Sequence, residues 1–243
     1  MTDLLDHGAF EPLYHQLKKI IEEKIDLDEW EPGEKISSEN DLRIKYKISR
    51  NTVQRALDEL VQEGVLERRQ GKGTFVAKPK IEQSLTSFYS FSKVMESQGL
   101  NPKDVILKIE TTTVKSKIAK KLQIDPSEEV IALQRLRQAN GEPIILETSY
   151  LPKKLVLELS HNDLDQYSLY DFLEEKYGII VTKAKETFEP VLVRESESKY
   201  LEIPKGAPGL LLDRITYDTK DRPVEFCRSL IRGDRCRFYT ELL

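Results

Sequence analysis

Between Ile36 and Val76 the chain packs helix caps, turn residues and an apolar helical period so closely that few folds can accommodate them all. The stretch reads as two short helices, a third longer helix, and a hairpin ending in Gly71-Lys72-Gly73-Thr74-Phe75-Val76. Ser38 is placed to cap a helix and Asp41 to answer it, a capping box that satisfies two orphan backbone donors, while Leu42 and Tyr46 give that helix a buried side. Ile48-Ser49 closes the turn. Ser49 caps the next helix, where Val53, Ala56, Leu57, Leu60 and Val61 recur at helical spacing and Gly64 supplies a left-handed stop. Val65 and Leu66 then begin a strand, and Arg68, Arg69 and Lys72 flank a glycine turn that tolerates positive φ. The expectation is a helix-turn-helix with a basic wing, forming an N-terminal domain over residues 1–77.

The face of the second capped helix opposite its apolar stripe carries Arg50, Asn51, Gln54, Arg55 and Asp58. These residues crowd the first turns, the end that a recognition helix inserts into a major groove, where Arg forks onto guanine and Asn or Gln onto adenine. The alternative is an ordinary solvated helix face. A basic hairpin tip directly after that helix suits phosphates or a minor groove, although a Gly-x-Gly turn by itself is usually only a hairpin.

The segment resembles the N-terminal domain of the GntR family of bacterial transcription regulators. The resemblance rests on Pro12-Leu13-Tyr14, Glu31-Pro32-Gly33-Glu34-Lys35-Ile36-Ser37-Ser38-Glu39, Ser49-Arg50-Asn51-Thr52-Val53, Ala56-Leu57, Leu60, Glu63-Gly64 and Gly71 to Val76. It implies contacts with double-stranded DNA from Arg50, Thr52, the position of Gln54, and the wing near Lys72 and Gly73. Ser38, Arg43, Asn51 and Arg55 complete the candidate set. Gln54 stands where the family usually has Arg, which leaves the preferred base there open, and Ser37 stands where Pro is common.

Net charge is −4, an awkward value for a nucleic-acid binder until its distribution is considered. Residues 1–35 carry 4 basic and 10 acidic side chains, whereas residues 36–78 carry 9 and 6. The positive field is confined to the reading head. There is no long apolar run and no basic, then apolar, start of the kind a signal peptide has, so no membrane is expected and the chain reads as cytoplasmic. Cys227 and Cys236 lie outside metal-ligand spacing, so they read as reduced thiols and neither a metal nor a cofactor is expected.

With 243 residues the chain has room for a second domain, expected over 85–243 after a polar, Pro-containing joint at 78–84. The joint could equally be an ordered strand packed on either domain. Leu122-Gln123-Ile124 and Leu133-Gln134-Arg135-Leu136 return as Leu201-Glu202-Ile203 and Leu212-Asp213-Arg214-Ile215 at a constant offset of 79. Each set is followed by a turn and a Pro (Pro143, Pro223), so the pattern of helix, strand, hairpin and strand is performed twice. This favours an α+β fold with helices packed on an antiparallel sheet.

The second domain resembles the UTRA domain of the HutC subfamily of GntR regulators, a fold similar to chorismate lyase. The matching pieces are Ser90-Phe91-Ser92 with Gly99, Arg135-x-Arg137, Gly141-x-Pro143, Glu147-x-Ser149, Ser168-Leu169-Tyr170-Asp171, Glu189-Pro190 and Arg232-Gly233-Asp234-Arg235. The resemblance implies a homodimer and a pocket for a small effector, in many members a phosphorylated sugar. Some sugar-phosphate-binding relatives have Tyr where this chain has Ile231, so the choice of sugar stays open.

The residues themselves point the same way. Strand alternation puts Arg135 and Arg137 on one partly apolar face, and Glu147 and Ser149 on one face of the next strand. Ser90 and Ser168 look like caps of helices ended by Gly99 and Gly178, and helix N-termini with hydroxyls favour anions. The candidate effector contacts are Ser90, Phe91, Ser92, Arg135, Arg137, Glu147, Ser149, Ser168, Tyr170, Glu225 and Arg228. Structural ion pairs of the arginines with Glu147 or Glu225, plain capping by the serines, and a core role for Tyr170 are the competing readings. Arg228 and Arg232 could reach either the pocket or a dimer interface. A lyase-like enzyme and an effector-free architectural DNA binder are the rival functions. No Ser-His-Asp or Cys-His arrangement supports the first, His161 reads as part of a polar turn, and the second has no need of so large a second domain. The function expected is a repressor on a palindromic operator, released by an anionic metabolite through residues near Lys78 to Ser84.

Overall fold

Side-chain caps from Ser38, Ser49 and Ser168 start three helices in the computed structural model, which describes residues 4–69, 71–85 and 91–241. The chain divides into two units, the first ending at Pro79 and the second beginning at Lys80.

In the first unit, α1 (Leu13–Asp26), α2 (Glu39–Tyr46) and α3 (Arg50–Gln62) precede a hairpin of β1 (Leu66–Arg69) and β2 (Gly73–Val76). Only two of the three helices fall inside residues 36–76; the third, α1, lies before them, where the alternation of apolar and charged residues from Leu13 onward was available to reveal it. The Ser38–Asp41 capping box starts α2, and the Ser49 hydroxyl accepts from the N–H of Thr52 to start α3. Leu17, Ile21, Leu42, Tyr46, Val53, Leu57, Leu60 and Leu66 form the core. Lys18 ties α1 to α3 through Glu59 and Glu63 at 3.2 and 2.5 Å.

The second unit runs β3 (Ile81–Ser84), α4 (Phe91–Ser97), β4 (Pro102–Thr112), α5 (Ser116–Leu122), β5 (Val130–Ala139), β6 (Glu142–Pro152), α6 (His161–Gln166), α7 (Leu169–Tyr177), β7 (Val181–Leu192), α8 (Glu195–Leu201), β8 (Pro208–Asp218), β9 (Pro223–Arg232) and β10 (Cys236–Tyr239). Six strands form one antiparallel sheet in the order β4-β5-β6-β9-β8-β7. The order is palindromic, three strands of one repeat followed by three of the other in reverse. The repeat is therefore longer than the sequence motif indicated, since α4 and β4 correspond to α7 and β7.

Asn140 and Gly141 both have positive φ, as the two-residue turn between β5 and β6 requires. Helices α5 and α8 cover one sheet face through Leu122, Phe226, Leu201 and Leu230, while α7 covers part of the other through Leu169, Phe172 and Leu173 against Ile131, Leu133 and Leu151. One expectation needs correction. His161 begins a helix capped by Ser160 and not a turn, because Asp163 completes a capping box. Of the two readings left open for residues 78–84, the ordered strand holds for residues 81–84, which form β3 and pair in parallel with β10.

Candidate functional site

In the first unit, the N-terminal turn of α3 stands at the surface beside the wing. Arg50 has a side chain 75% exposed and comes no closer than 3.9 Å to Glu39, and Asn51 is exposed beside it. The Thr52 hydroxyl is 2.8 Å from that of Ser49, so it belongs to the cap as well as to the surface. Gln54 donates to Glu39 at 3.3 Å. Arg43 donates to Asn40, and Ser38 is occupied with Asp41. At the wing, Lys72 is exposed and Gly73 has φ +118.

Arg55 does not join this group. Its guanidinium lies 3.8 Å from the ring centroid of Tyr14, donates to the Tyr14 hydroxyl at 3.0 Å, and pairs with Glu59 at 3.2 Å. These partners draw it along the flank of α3 toward α1. Sequence reasoning passed over Glu39, which gathers Gln54, Arg50 and Arg68, the last at 3.6 Å. Arg68 is also held by Asp58 at 2.8 Å, and Arg69 by Glu67 at 2.5 Å. A carboxylate amid basic side chains lowers the local field and fixes their directions. Arg50, Arg55, Arg68 and Arg69 thus each have a carboxylate neighbour within the stretch that carries the positive surplus.

In the second unit, the strand register collects polar side chains on the sheet face shared with α7. Arg135 lies opposite Glu147, Glu147 opposite Ser229, Ser149 opposite Cys227, Cys227 opposite Arg214, and Glu225 opposite Thr216. Arg135 is only 4% exposed, bonded to Glu147 and, at 3.1 Å, to Asp104 of β4. Arg137 bonds Asp104 at 3.0 Å, approaches Glu147 at 3.6 Å, and stacks 4.4 Å from the ring of Phe91. Glu147 accepts from the Ser229 hydroxyl at 3.0 Å. Glu225, 1% exposed, accepts from Tyr170 at 2.8 Å and faces Thr216 at 3.5 Å.

Burial on its own would raise the Glu147 pKa; the charges of Arg135, Arg137 and Arg214 outweigh it and lower the value to about 2. Burial likewise opposes the charge on Arg135, and Glu147, Asp104 and Glu225 more than restore it. Arg135 and Glu147 therefore stay charged at neutral pH. Burial pushes the Cys236 thiol up to about 12 and the Cys227 thiol also well above its ordinary range, so neither is a ready nucleophile.

Two hollows open on this face. A small inner cavity, with room of about 40 Å³, is lined by Phe91, Arg137, Glu147, Arg214, Ser229 and Ile231 among others. An outer groove of about 540 Å³, open to solvent, is lined by Ser92, Lys103, Asp104, Ser168, Tyr170 and Asp171 among others. The structure therefore brings Phe91, Ser92, Arg135, Arg137, Glu147, Ser168, Tyr170 and Glu225 to one region. Ser90 lies outside the described residues. Ser149 shares the face but is fully buried, and its hydroxyl has no hydrogen-bond partner.

Arg228 is the correction here. Strand alternation sends it to the opposite face from Glu225, Cys227 and Ser229, where it grips Asp213 with two bonds of 2.7 and 2.8 Å beside Lys121 of α5. Arg228 thus ties β9 to β8, and Lys121 brings α5 to the same carboxylate. Arg232, the other C-terminal arginine considered, is 6% exposed and bound to Asp234 and Glu142. Asp104, Arg214, Thr216 and Ser229 were missed, and the repeat held a signal for one of them, since Arg214 is the counterpart of Arg135.

A model of the UTRA domain matches residues 97–237, and one described as bacterial regulatory proteins, gntR family, matches residues 13–76. The chain is 35% identical to the HTH-type transcriptional repressor NagR of Bacillus subtilis (strain 168), with 93% of each chain covered. It is 34% identical to the uncharacterized HTH-type transcriptional regulator YurK of the same organism, with 97% of each covered. Among solved structures, PhnF from Mycobacterium smegmatis superposes with a TM-score of 0.64 at 30% identity, covering 95% of this chain and 98% of that one.

Proposed function

Because the chain belongs to the GntR family of bacterial regulatory proteins and carries a UTRA domain, DNA-binding regulators and not enzymes, we infer that it is a repressor controlled by a small anionic, hydroxyl-rich metabolite. A sugar phosphate has the matching chemistry, and the place of action is the cytoplasm. The observation that carries this reading is the buried network of Arg135, Arg137 and Glu147, whose partner Asp104 lines a groove together with Ser168 and Tyr170.

Guanidinium forks suit the oxygens of a phosphate, and the N-terminus of α7 at Ser168 adds a favourable dipole. Glu147 and Glu225 accept hydrogen bonds, as the hydroxyls of a sugar would require. On the DNA side, Arg50, Asn51, Thr52 and Gln54 near base edges, with Ser38, Arg43, Lys72 and Gly73 near phosphates, form the contact set; Arg55 contributes from the flank. A homodimer would set two such heads on a palindromic operator. Ligand and operator then compete through their preference for different conformations, a coupling typically worth about 1–3 kcal/mol.

A thermal-shift screen over sugar phosphates tests the sensor half. A ligand at a hundred times its dissociation constant stabilises the folded state by about 2.7 kcal/mol, a shift of a few degrees. Arg135→Ala should abolish that shift and the metabolite's effect in a gel-shift assay while leaving ligand-free operator binding in place. A response that persists in the variant would remove Arg135 from the site.

A further inference from the structure

We propose that Asp104 occupies the place of the effector's anionic group, so that an incoming oxyanion must displace this carboxylate from Arg135 and Arg137. The inference rests on the effector reading above and assigns the residue that sets affinity and selectivity within it.

A single carboxylate spans both arginines. Its Oδ1 accepts from Arg137 Nε at 3.0 Å and its Oδ2 from Arg135 Nη1 at 3.1 Å. An oxyanion drawn to the same pair would seek those two donors. Charge makes sharing unfavourable: two guanidinium groups already face two carboxylates, Asp104 and Glu147, so an added anion meets a neutral pair of ion pairs. Once Asp104 withdraws, the remaining two cations and one anion attract it.

Of the two carboxylates, Asp104 is the one able to leave. Glu147 is 6% exposed on a strand hydrogen-bonded on both sides, and it is held further by Ser229. Asp104 has a side chain 27% exposed and lines the outer groove, so water can take over its solvation. It stands on β4, an edge strand paired only with β5, close to a break in register between Ile106 and Lys108. An edge strand near a bulge moves its end at little cost in hydrogen bonds.

Arg135 also has unused capacity. Among the described residues Arg135 Nε is buried without a hydrogen-bond partner, a costly state in a protein interior. A phosphoryl group with three terminal oxygens offers more acceptors than the two oxygens of Asp104, whereas a carboxylate ligand offers only a replacement. The site should therefore favour phosphate or phosphonate esters over carboxylates of the same skeleton, and the displaced Asp104 carries ligand occupancy into β4.

Isothermal titration of the full chain tests this with glucose 6-phosphate, inorganic phosphate and uncharged glucose as probes, comparing wild type with Asp104→Asn. The amide keeps the shape and removes the competing charge. At least one phosphorylated probe should bind the variant roughly tenfold more tightly than wild type, with no gain for glucose. A residue that merely propped up the sheet would give weaker binding on substitution, so a gain separates the two roles. Wild-type binding that is unchanged or weakened in Asp104→Asn overturns the displacement and leaves the effector reading standing. If both proteins fail to bind any phosphorylated probe, the proposal is lost together with the phosphate form of that reading. Should Asp104→Asn lack a cooperative melting transition, Asp104→Ser replaces it under the same expectations.

Discussion

Arg50 and Arg55 are neighbours in type and near neighbours in sequence, yet the structure gives them different partners and hence different expected effects. Arg50 is barely restrained, so its fork is available to a guanine edge. Arg50→Ala is expected to weaken operator binding by about 1–3 kcal/mol, roughly five- to 150-fold in a gel-shift titration, with specificity relaxed at one base. Retained affinity would take Arg50 out of the reading set. Arg55→Ala should act first on stability, through the lost stacking on Tyr14, and only weakly on sequence preference. Helical spacing placed both arginines on the outer face; it could not show that Tyr14, 41 positions away, would capture one of them. Arg228 is a different kind of miss. Counting along β9 from Glu225 already separates it from the odd-numbered residues, so alternation was sufficient to exclude it.

Elements built from local signals were readable in advance. The Ser38–Asp41 box, the Ser49 cap, the Asn140-Gly141 turn and the Ser168 to Gly178 helix all follow from side-chain chemistry within a few residues. The parallel pairing of β3 with β10 was not, because two four-residue strands carry little period and their partnership depends on distant chain. Asp104 was hidden for a related reason: the irregular register after Ile106 prevents a sequence from showing what lies opposite Arg137. The wing offers a test at this scale. Gly73 has φ +118, and an added Cβ would sit 2.7 Å from Lys35 Cε, an end that can swing aside while the backbone angle cannot. Gly73→Ala should cost about 1 kcal/mol or more in denaturant unfolding and should weaken DNA binding through a displaced Lys72. Full operator affinity in that variant would show that the wing tip makes no contact.

At the scale of the whole molecule, two domains and their kinds were visible from length, repeat and resemblance, but the full extent of the duplication needed the palindromic sheet. The buried ionic network makes stability depend on pH in a definite direction. The Glu147 carboxyl is lowered from 4.5 to about 2 by folding, so its contribution is complete above about pH 4.5 and disappears as pH falls toward 2. Melting temperature measured from pH 7 to pH 3 should hold steady and then drop below about pH 4.5, more steeply for wild type than for Glu147→Gln. Parallel curves for the two proteins would mean that the charge on Glu147 contributes nothing to that slope.

Glu82 and Arg237, on β3 and β10, are 155 positions apart, so pairing their strands early would mean closing a loop made of most of the second unit. Closing so large a ring is entropically slow, so this seam should be the last part of the second unit to zip shut during folding and a natural starting point for its fraying.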